Sequence, residues 1–497
     1  MTVRLTNTLT GEQEPFEPAD PDSVLLYYCG LTTSDPAHLG HARGWVVVDV
    51  LHRWLEHEGY GVRHVENFTD VNEKIVARVG EVGDSEPDVA RHYVADILRD
   101  MRSLNLERAE VYPRVSEHVP EIIDLVETLV EEGYAYESNG SVYFDVTAFE
   151  NYGALSNQDL SEIEEQGDPD ERSEKRHPAD FALWKAGGVD PDALEEHRNP
   201  DHPGFDDHPE GQTWDSPWGE GRPGWHIECS AMSTTHLGET LDVHVGGRDL
   251  VFPHHENEIA QSEAATGETF ARHWMHVGML QIPGDEEDEK MSSSLGNFTT
   301  VEAAVAEFGP NVVRTFLLSG AYGSPLSYGR EAIDEAERRF DRLREAHRRA
   351  VEAVDSPEAA TKVDDDALRE AVDRAREEFA AAMNDDLNTR EAIAALTDLA
   401  GAVNRHVDDR EAYDYVGLRR AVEAFEDLGE GVLGFAFEGE ATGGARLAEE
   451  AVELALSIRE AEREAGNYDR ADRIRDRLGE LGVAVQDTDD GPEFRFE

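Results

Sequence analysis

The sequence predicts an α/β protein built on a parallel sheet, followed by an α-helical bundle and a small C-terminal α/β region. Three observations carry that expectation. Residues 24–68 read as one strand–helix–strand unit, and two strands joined through a helix run parallel. Strand-type runs return near residues 241 and 274, after a long polar interruption. Beyond about residue 330 the apolar period becomes helical over three long segments.

In order along the chain, Val24-Leu25-Leu26-Tyr27-Tyr28 is an apolar run of the buried-strand type, ended by Cys29. Residues 30–36 form a turn-rich loop, 39–57 carry helical spacing, Gly59-Tyr60-Gly61 ends that helix, and 62–68 return as a strand. A helix over about 87–104 and a strand over about 141–146 continue the α/β pattern. The composition shifts over 115–222. Its later part, 161–222, is crowded with Asp, Glu, Gly, Pro and His and reads as an insertion between two halves of one fold. Residues 241–245 then form a strand, Gly246-Gly247 a turn, 256–265 a helix and 274–282 a further strand. Thr299 and Glu302 make a capping box for a helix running to Phe308. Helices over 331–353, 366–383 and 389–407 make the bundle, 444–482 a helical pair, and 483–485 with 494–496 a terminal hairpin.

The charge is extreme, with 108 Asp and Glu against 45 Lys and Arg and a net charge of −63. Only five of the bases are lysine (Lys74, Lys175, Lys185, Lys290, Lys362). The acids cover every segment instead of forming a tail, which points to a protein kept soluble in concentrated salt. At 1 M salt the Debye length is about 3 Å, so self-repulsion is screened there and severe in dilute buffer. Net charge then says little about partners, and a nucleic acid is not excluded. No apolar run approaches the roughly 18 residues of a membrane span, and two cysteines in 497 residues argue against a disulfide framework. A soluble, cytoplasmic protein is expected.

Those two cysteines sit in segments that look chemical. Cys29 precedes His38-Leu39-Gly40-His41, and Cys229 in Trp225-His226-Ile227-Glu228-Cys229 precedes His254-His255-Glu256-Asn257-Glu258. Two thiolates with a His/Glu cluster are a zinc-type donor set. Only His254 and Glu258 stand four apart, so a helix presents both on one face. His255 with Glu258, three apart, is the weaker choice, and Glu256 points elsewhere. His38-Leu39-Gly40-His41 opens a helix, where free N–H groups and partial positive charge suit a triphosphate. Taken alone, the tetrapeptide also reads as two solvated histidines. Lys290-Met291-Ser292-Ser293-Ser294 offers an ammonium and hydroxyls to phosphate, and spends a rare lysine directly after Asp285-Glu286-Glu287-Asp288-Glu289.

Together the two loops resemble the "HIGH" and "KMSKS" signatures of class I aminoacyl-tRNA synthetases. Neighbouring segments sharpen the resemblance to the cysteinyl-tRNA synthetase family: Tyr28-Cys29-Gly30-Leu31-Thr32, Asn67-Phe68-Thr69-Asp70, Phe181-Ala182-Leu183-Trp184-Lys185, Cys229-Ser230-Ala231-Met232, and Asp249-Leu250-Val251-Phe252-Pro253 leading into the His/Glu run. Met383-Asn384-Asp385-Asp386-Leu387-Asn388-Thr389 extends it into the helical region.

The resemblance implies a Rossmann-like catalytic domain in two halves, 20–114 and 223–282, split by a connective-peptide insertion at 115–222. A signature-loop region at 283–330, a tRNA-binding bundle at 331–430 and an anticodon-binding region at 431–497 would follow. It implies one zinc per subunit on Cys29, Cys229, His254 and Glu258, reading the thiolate of L-cysteine. It also implies ATP with Mg²⁺ held by His38, Gly40, His41, Lys290, Ser292, Ser293 and Ser294, with Gly247 and Asp249 on the ribose. Gly30, Thr32, Thr69 and Trp225 would line the amino-acid pocket. The tRNA partner would meet the bundle and the C-terminal region, where Arg470, Arg473, Arg475 and Arg477 crowd one short helix. The implied assembly is a monomer.

Three departures stand out. Ser293 replaces the second signature lysine, Asn72 and Glu73 follow Thr69-Asp70, and Thr33-Ser34 replace a Val-Tyr pair. A ligase handing cysteine to an amino sugar would lack the C-terminal region. A non-catalytic zinc- and tRNA-binding paralogue would have lost His38, His41 or Lys290.

Overall fold

The computed structural model describes residues 2–160, 163, 173–199, 202, 204–205, 208–282, 289–291 and 298–437, and in the C-terminal part 452, 455–459, 463, 468–480, 483–488 and 491–496. Two compact units result, Met1–Phe437 and Glu438–Glu497.

Four strands form the central sheet: β1 (Val24–Thr32), β2 (Val62–Thr69), β3 (Leu241–Gly247) and β4 (Ala271–Val277), in the spatial order β4-β3-β1-β2. All are parallel. Helix α1 (Leu39–His57) crosses from β1 to β2. The order reverses between β1 and β3, so the crevice at their carboxyl ends is the place where such sheets bind ligands. Both strands are buried because helices cover them, which is why each reads as a near-continuous apolar run. Helices α2 (Trp225–Leu237) and α3 (Glu256–Thr266) pack beside these ends.

The insertion carries its own five-stranded sheet, antiparallel throughout. The strand at Ser141–Phe144 belongs here, inside the insertion, and ends two residues short of the 141–146 read from periodicity. Asn139 and Gly140, with φ of 54° and 88°, fold it back on Ala135–Ser138 as a two-residue hairpin. Its core (Val142, Phe144, Phe181, Trp184) closes over Ile227 and Ala231 of α2. That leaves the Cys229 face of α2 turned to the central sheet.

Two further corrections have backbone causes. The expected strand over 274–282 is two, β4 and Leu280–Ile282, in different sheets. Buried Arg43 takes the carbonyls of Gly278 and Met279 at 2.7 and 3.1 Å, pulling them out of the ladder between the two. The helix Val301–Phe308 is capped by Thr300, whose side chain accepts from Ala303 N, and not by Thr299. Thr299 O instead accepts from Leu39 N at 3.0 Å, tying this turn to the start of α1. Gly246 and Gly247 also extend β3 where a turn was expected.

The bundle comprises α4 (Arg330–Val354), α5 (Asp366–Met383), α6 (Thr389–Asp409) and α7 (Tyr415–Ala424). It shares one continuous apolar core with the parallel sheet, in which Trp54 of α1 meets Phe379 of α5 at 6.1 Å. Asp365, Asn388 and Asp414 cap α5, α6 and α7 through their side chains. In the C-terminal unit, helix α8 (Tyr468–Glu480) precedes an antiparallel hairpin of Val483–Thr488 and Gly491–Phe496. Most of the first half of the expected 444–482 helical pair lies outside the described residues.

Candidate active site and metal centre

The sheet brings Cys29 to the crevice through a local irregularity. The β1–β2 register shifts between Tyr28 and Leu31, so Cys29 and Gly30 fall where the ladder is broken. Asn67 of β2 fills the gap: its Oδ1 accepts from Gly30 N at 2.8 Å and from Tyr27 OH at 3.0 Å. A Cβ on Gly30 would come within 1.7 Å of Asn67 O, so glycine is required here.

Cys229 stands four residues after Trp225 on α2, and His254 four before Glu258 at the start of α3. Cys29, Cys229, His254 and Glu258 converge with their donor atoms all within 4.8 Å of one another, and all four are buried. Cys29 Sγ lies 3.6 Å from Cys229 Sγ and 3.3 Å from His254 Nε2; His254 Nε2 lies 3.0 Å from Glu258 Oε1. Tetrahedral zinc with bonds of about 2.0 to 2.3 Å separates its ligand atoms by roughly 3.3 to 3.8 Å. Glu258 Oε1 makes no well-aligned hydrogen bond, although His254 Nε2 lies close to it. A soft, closely spaced donor set with a poorly satisfied carboxylate oxygen fits a divalent ion.

Neighbours fix the orientation of these donors. His226 Nδ1 lies 2.9 Å from His254 Nδ1, leaving Nε2 for the cluster, and His244 Nε2 takes the other Glu258 oxygen at 2.9 Å. Burial opposes charge on His254, but Glu258 and Cys229 overcome it and raise the imidazole to about 10. Burial likewise opposes charge on Glu258, yet His244 and His254 hold it at about 2. The hydrogen bond with Cys229 favours ionisation of Cys29, but burial and the Glu258 charge push its thiol up overall. His255, the weaker choice, is 3.9 Å from Glu258 and pairs instead with His276 at 2.7 Å. It forms a second grouping with His244 and Glu258 that lacks thiolates. Glu256 does point elsewhere, accepting from Gly153 N and Ser156 N.

Trp225 is 40% exposed, and its ring lies 4.4 Å from that of His254. The buried cluster therefore has an open aromatic wall beside it. Thr32 and Thr69 face each other across β1 and β2. His38 caps α1 through Nδ1, which accepts from Gly40 N at 3.1 Å, and its ring stacks on His41 at 3.7 Å. Gly247 and Asp249 sit at the carboxyl end of β3, and a Cβ on Gly247 would meet Asp249 Oδ1 at 2.5 Å. Lys290 pairs through its backbone with Gln281; its side chain and Ser292, Ser293 and Ser294 lie outside the described residues. The far end of that loop returns to the histidine motif, where Val301 N donates to Ala37 O at 2.9 Å. Arg470, Arg473, Arg475 and Arg477 are exposed on α8, in the other unit.

Asn67 and His226 stand within quoted segments, but their spacing assigns them no role, and His244 carries no motif at all. His226 adjoins Trp225 in a segment already marked, and a histidine inside the apolar strand 241–245 is the signal that could have found His244.

The family described as tRNA synthetases class I (C) catalytic domain matches residues 15–338, the DALR domain 378–438, and the cysteinyl-tRNA ligase anticodon binding domain 447–495. The cysteine–tRNA ligase of Haloarcula marismortui is 67% identical over 497 residues, the whole of both chains. The chain belongs to the cysteine–tRNA ligase family. A second family member, from Halobacterium salinarum, is 62% identical over the whole of both chains, and that of Thermococcus onnurineus is 42% identical over 99% of this chain and 98% of its own. The first two relatives come from salt-loving organisms, in keeping with the acidic coat. Among solved structures, methionyl-tRNA synthetase of Mycobacterium tuberculosis with methionyl-adenylate aligns at a TM-score of 0.58 and 16% identity, covering 83% of this chain and 89% of that one. At that identity it speaks for the class I fold alone. Among the described residues no helix is long and apolar enough to cross a membrane.

Proposed function

We propose that this protein is a cysteine–tRNA ligase that joins L-cysteine to tRNA(Cys) in two steps. The observation that carries this reading is the Cys29–Cys229–His254–Glu258 cluster at the carboxyl end of β1, in a chain of this family. First the cysteine α-carboxylate attacks the α-phosphate of ATP, which enters with Mg²⁺, and pyrophosphate leaves. Then a hydroxyl of the 3′-terminal adenosine attacks the adenylate carbonyl, and AMP leaves. Neither step needs a protein nucleophile, so the residues act by positioning and by stabilising phosphate charge.

His38 and His41 at the start of α1 offer imidazole N–H donors to the triphosphate, Gly40 lets it approach the backbone closely, and Lys290, Ser292, Ser293 and Ser294 meet the leaving pyrophosphate. Gly247 and Asp249 hold the ribose. Gly30, Thr32, Thr69 and Trp225 enclose the amino acid. Cys29, Cys229, His254 and Glu258 hold a zinc ion, which when bound offers a soft Lewis-acid position to the substrate thiolate. Serine, nearly isosteric with cysteine, forfeits a metal bond there and not merely apolar contact, so discrimination is large. The spans 20–114 and 223–282 act as the two catalytic halves around the insertion 115–222, with 283–330 as the signature-loop region, 331–430 as the bundle that meets tRNA and 431–497 as the anticodon-binding region. One chain holds every part, so a cytoplasmic monomer suffices. Cysteine-dependent ATP–pyrophosphate exchange and tRNA charging in molar KCl test the reading; absence of both would overturn it.

A further inference from the structure

The bundle arginines fall into two sets. Fifteen lie between residues 330 and 420. Eleven have a carboxylate within 4.0 Å. The remaining four are Arg342, Arg374, Arg390 and Arg405, all exposed and none with an ion-pair partner among the described residues. These four line one groove between α4, α5 and α6. Arg342, Arg374 and Arg405 line a cavity of about 480 Å³, which adjoins one of about 370 Å³ lined by Arg342 and Arg390. The two share Arg342, Thr397 and Asp398.

The local charge is inverted. Six arginines, counting Arg338 and Arg339, face four acids (Glu335, Glu378, Glu391, Asp398) in this groove. The chain as a whole has 108 acids against 45 bases. The floor is made of small residues, including Ala371, Ala375, Ala395 and Gly401, and a Cβ on Gly401 would come within 3.3 Å of Arg405 Nη1. Arg390 and Arg405 are fifteen residues apart on α6, which is about 22 Å of helix. That spacing exceeds a single nucleotide and suits a row of phosphates. Guanidinium forks bind phosphate oxygens in pairs, and an arginine with no carboxylate to release does so without a competing loss. On α8, by contrast, Arg470, Arg473, Arg475 and Arg477 each have an interaction of their own.

We infer that this groove binds the phosphate backbone of RNA, and that it is the principal electrostatic contact of the bundle with the tRNA; the identity of that RNA rests on the function proposed above. In molar salt, where long-range attraction is screened, four guanidinium groups with no ion-pair partner among the described residues give contacts at close range.

The test compares Arg342→Glu/Arg374→Glu with a control of equal charge change, Arg419→Glu/Arg420→Glu, both arginines of which are ion-paired outside the groove. Direct binding of tRNA is measured from 1 to 3 M KCl, with circular dichroism to verify folding. The groove variant is expected to bind tRNA at least ten-fold more weakly, with a salt slope lower by about 1 to 2. The control should change by less than two-fold, and cysteine-dependent pyrophosphate exchange should be unaltered in both. A folded groove variant that binds tRNA like the wild type, or an equal loss in the control, would overturn the inference. Absent exchange in the wild type would instead count against the proposed function, and tRNA binding still decides the groove.

Discussion

His226 Nδ1 and His254 Nδ1 lie 2.9 Å apart, although neither the α2 nor the α3 segment alone would bring them together. Burial and the neighbouring His254 hold His226 well below its ordinary value, so it is neutral and can accept the proton on His254 Nδ1. His254 Nε2 is then fixed toward Cys29 and Glu258. His226→Leu is expected to lower zinc affinity roughly 10- to 100-fold without unfolding the protein. Competition against a chromophoric chelator measures this, and an affinity within two-fold of wild type would show that the contact does not orient the ligand.

Arg314 ties the parallel-sheet domain to the end of the bundle. It is fully buried, donates to Asp49 Oδ2 at 2.6 Å and to Leu433 O and Leu104 O, and so joins three separate segments. Arg314→Met would leave Asp49 Oδ2 without its cation, Oδ1 keeping Arg53 and the Glu107 N–H, and two carbonyls without their donor. A loss of about 3 to 5 kcal/mol is expected. Urea unfolding in molar KCl reads it as a lower midpoint; a change under 1 kcal/mol would mean the pair is dispensable.

Glu66 gives stability a pH dependence. Burial raises its carboxyl to about 8, against a partial opposing effect of the hydrogen bond from Trp45. The folded state thus holds a proton that the unfolded chain releases near 4.5. Stabilisation from this group is complete below about 4.5, falls as pH rises toward 8, and is flat above, at up to about 1.4 kcal/mol per pH unit in that window. Glu66→Gln should flatten the decline between pH 5 and 8 in thermal melts. Parallel curves for variant and wild type would contradict the assignment.

The sequence already displayed what depends on local spacing. His254 and Glu258 were readable because i and i+4 share a helix face, and the β1–α1–β2 unit because its apolar runs change period. What it concealed depends on convergence. Asn67 and His244 reach the cluster from neighbouring strands, β2 and β3, and the local pattern shows at most a histidine out of place in an apolar strand, not what it meets. Thr299 matched a capping pattern but lost the role because its carbonyl was taken by Leu39 N. Arg374 and Arg376 look alike in sequence, yet Arg376 meets Asp427, 51 positions away, while Arg374 faces the groove.

The central claim is that a metal held by Cys29, Cys229, His254 and Glu258 selects the substrate thiol. Its most direct test is ATP–pyrophosphate exchange in molar KCl, run with cysteine and with serine, before chelation, after it, and after zinc is returned. Exchange with cysteine is expected to fall at least 100-fold on chelation and to recover with zinc, while serine supports none under any condition. Undiminished cysteine exchange, with serine still rejected after the metal is gone, would contradict the account.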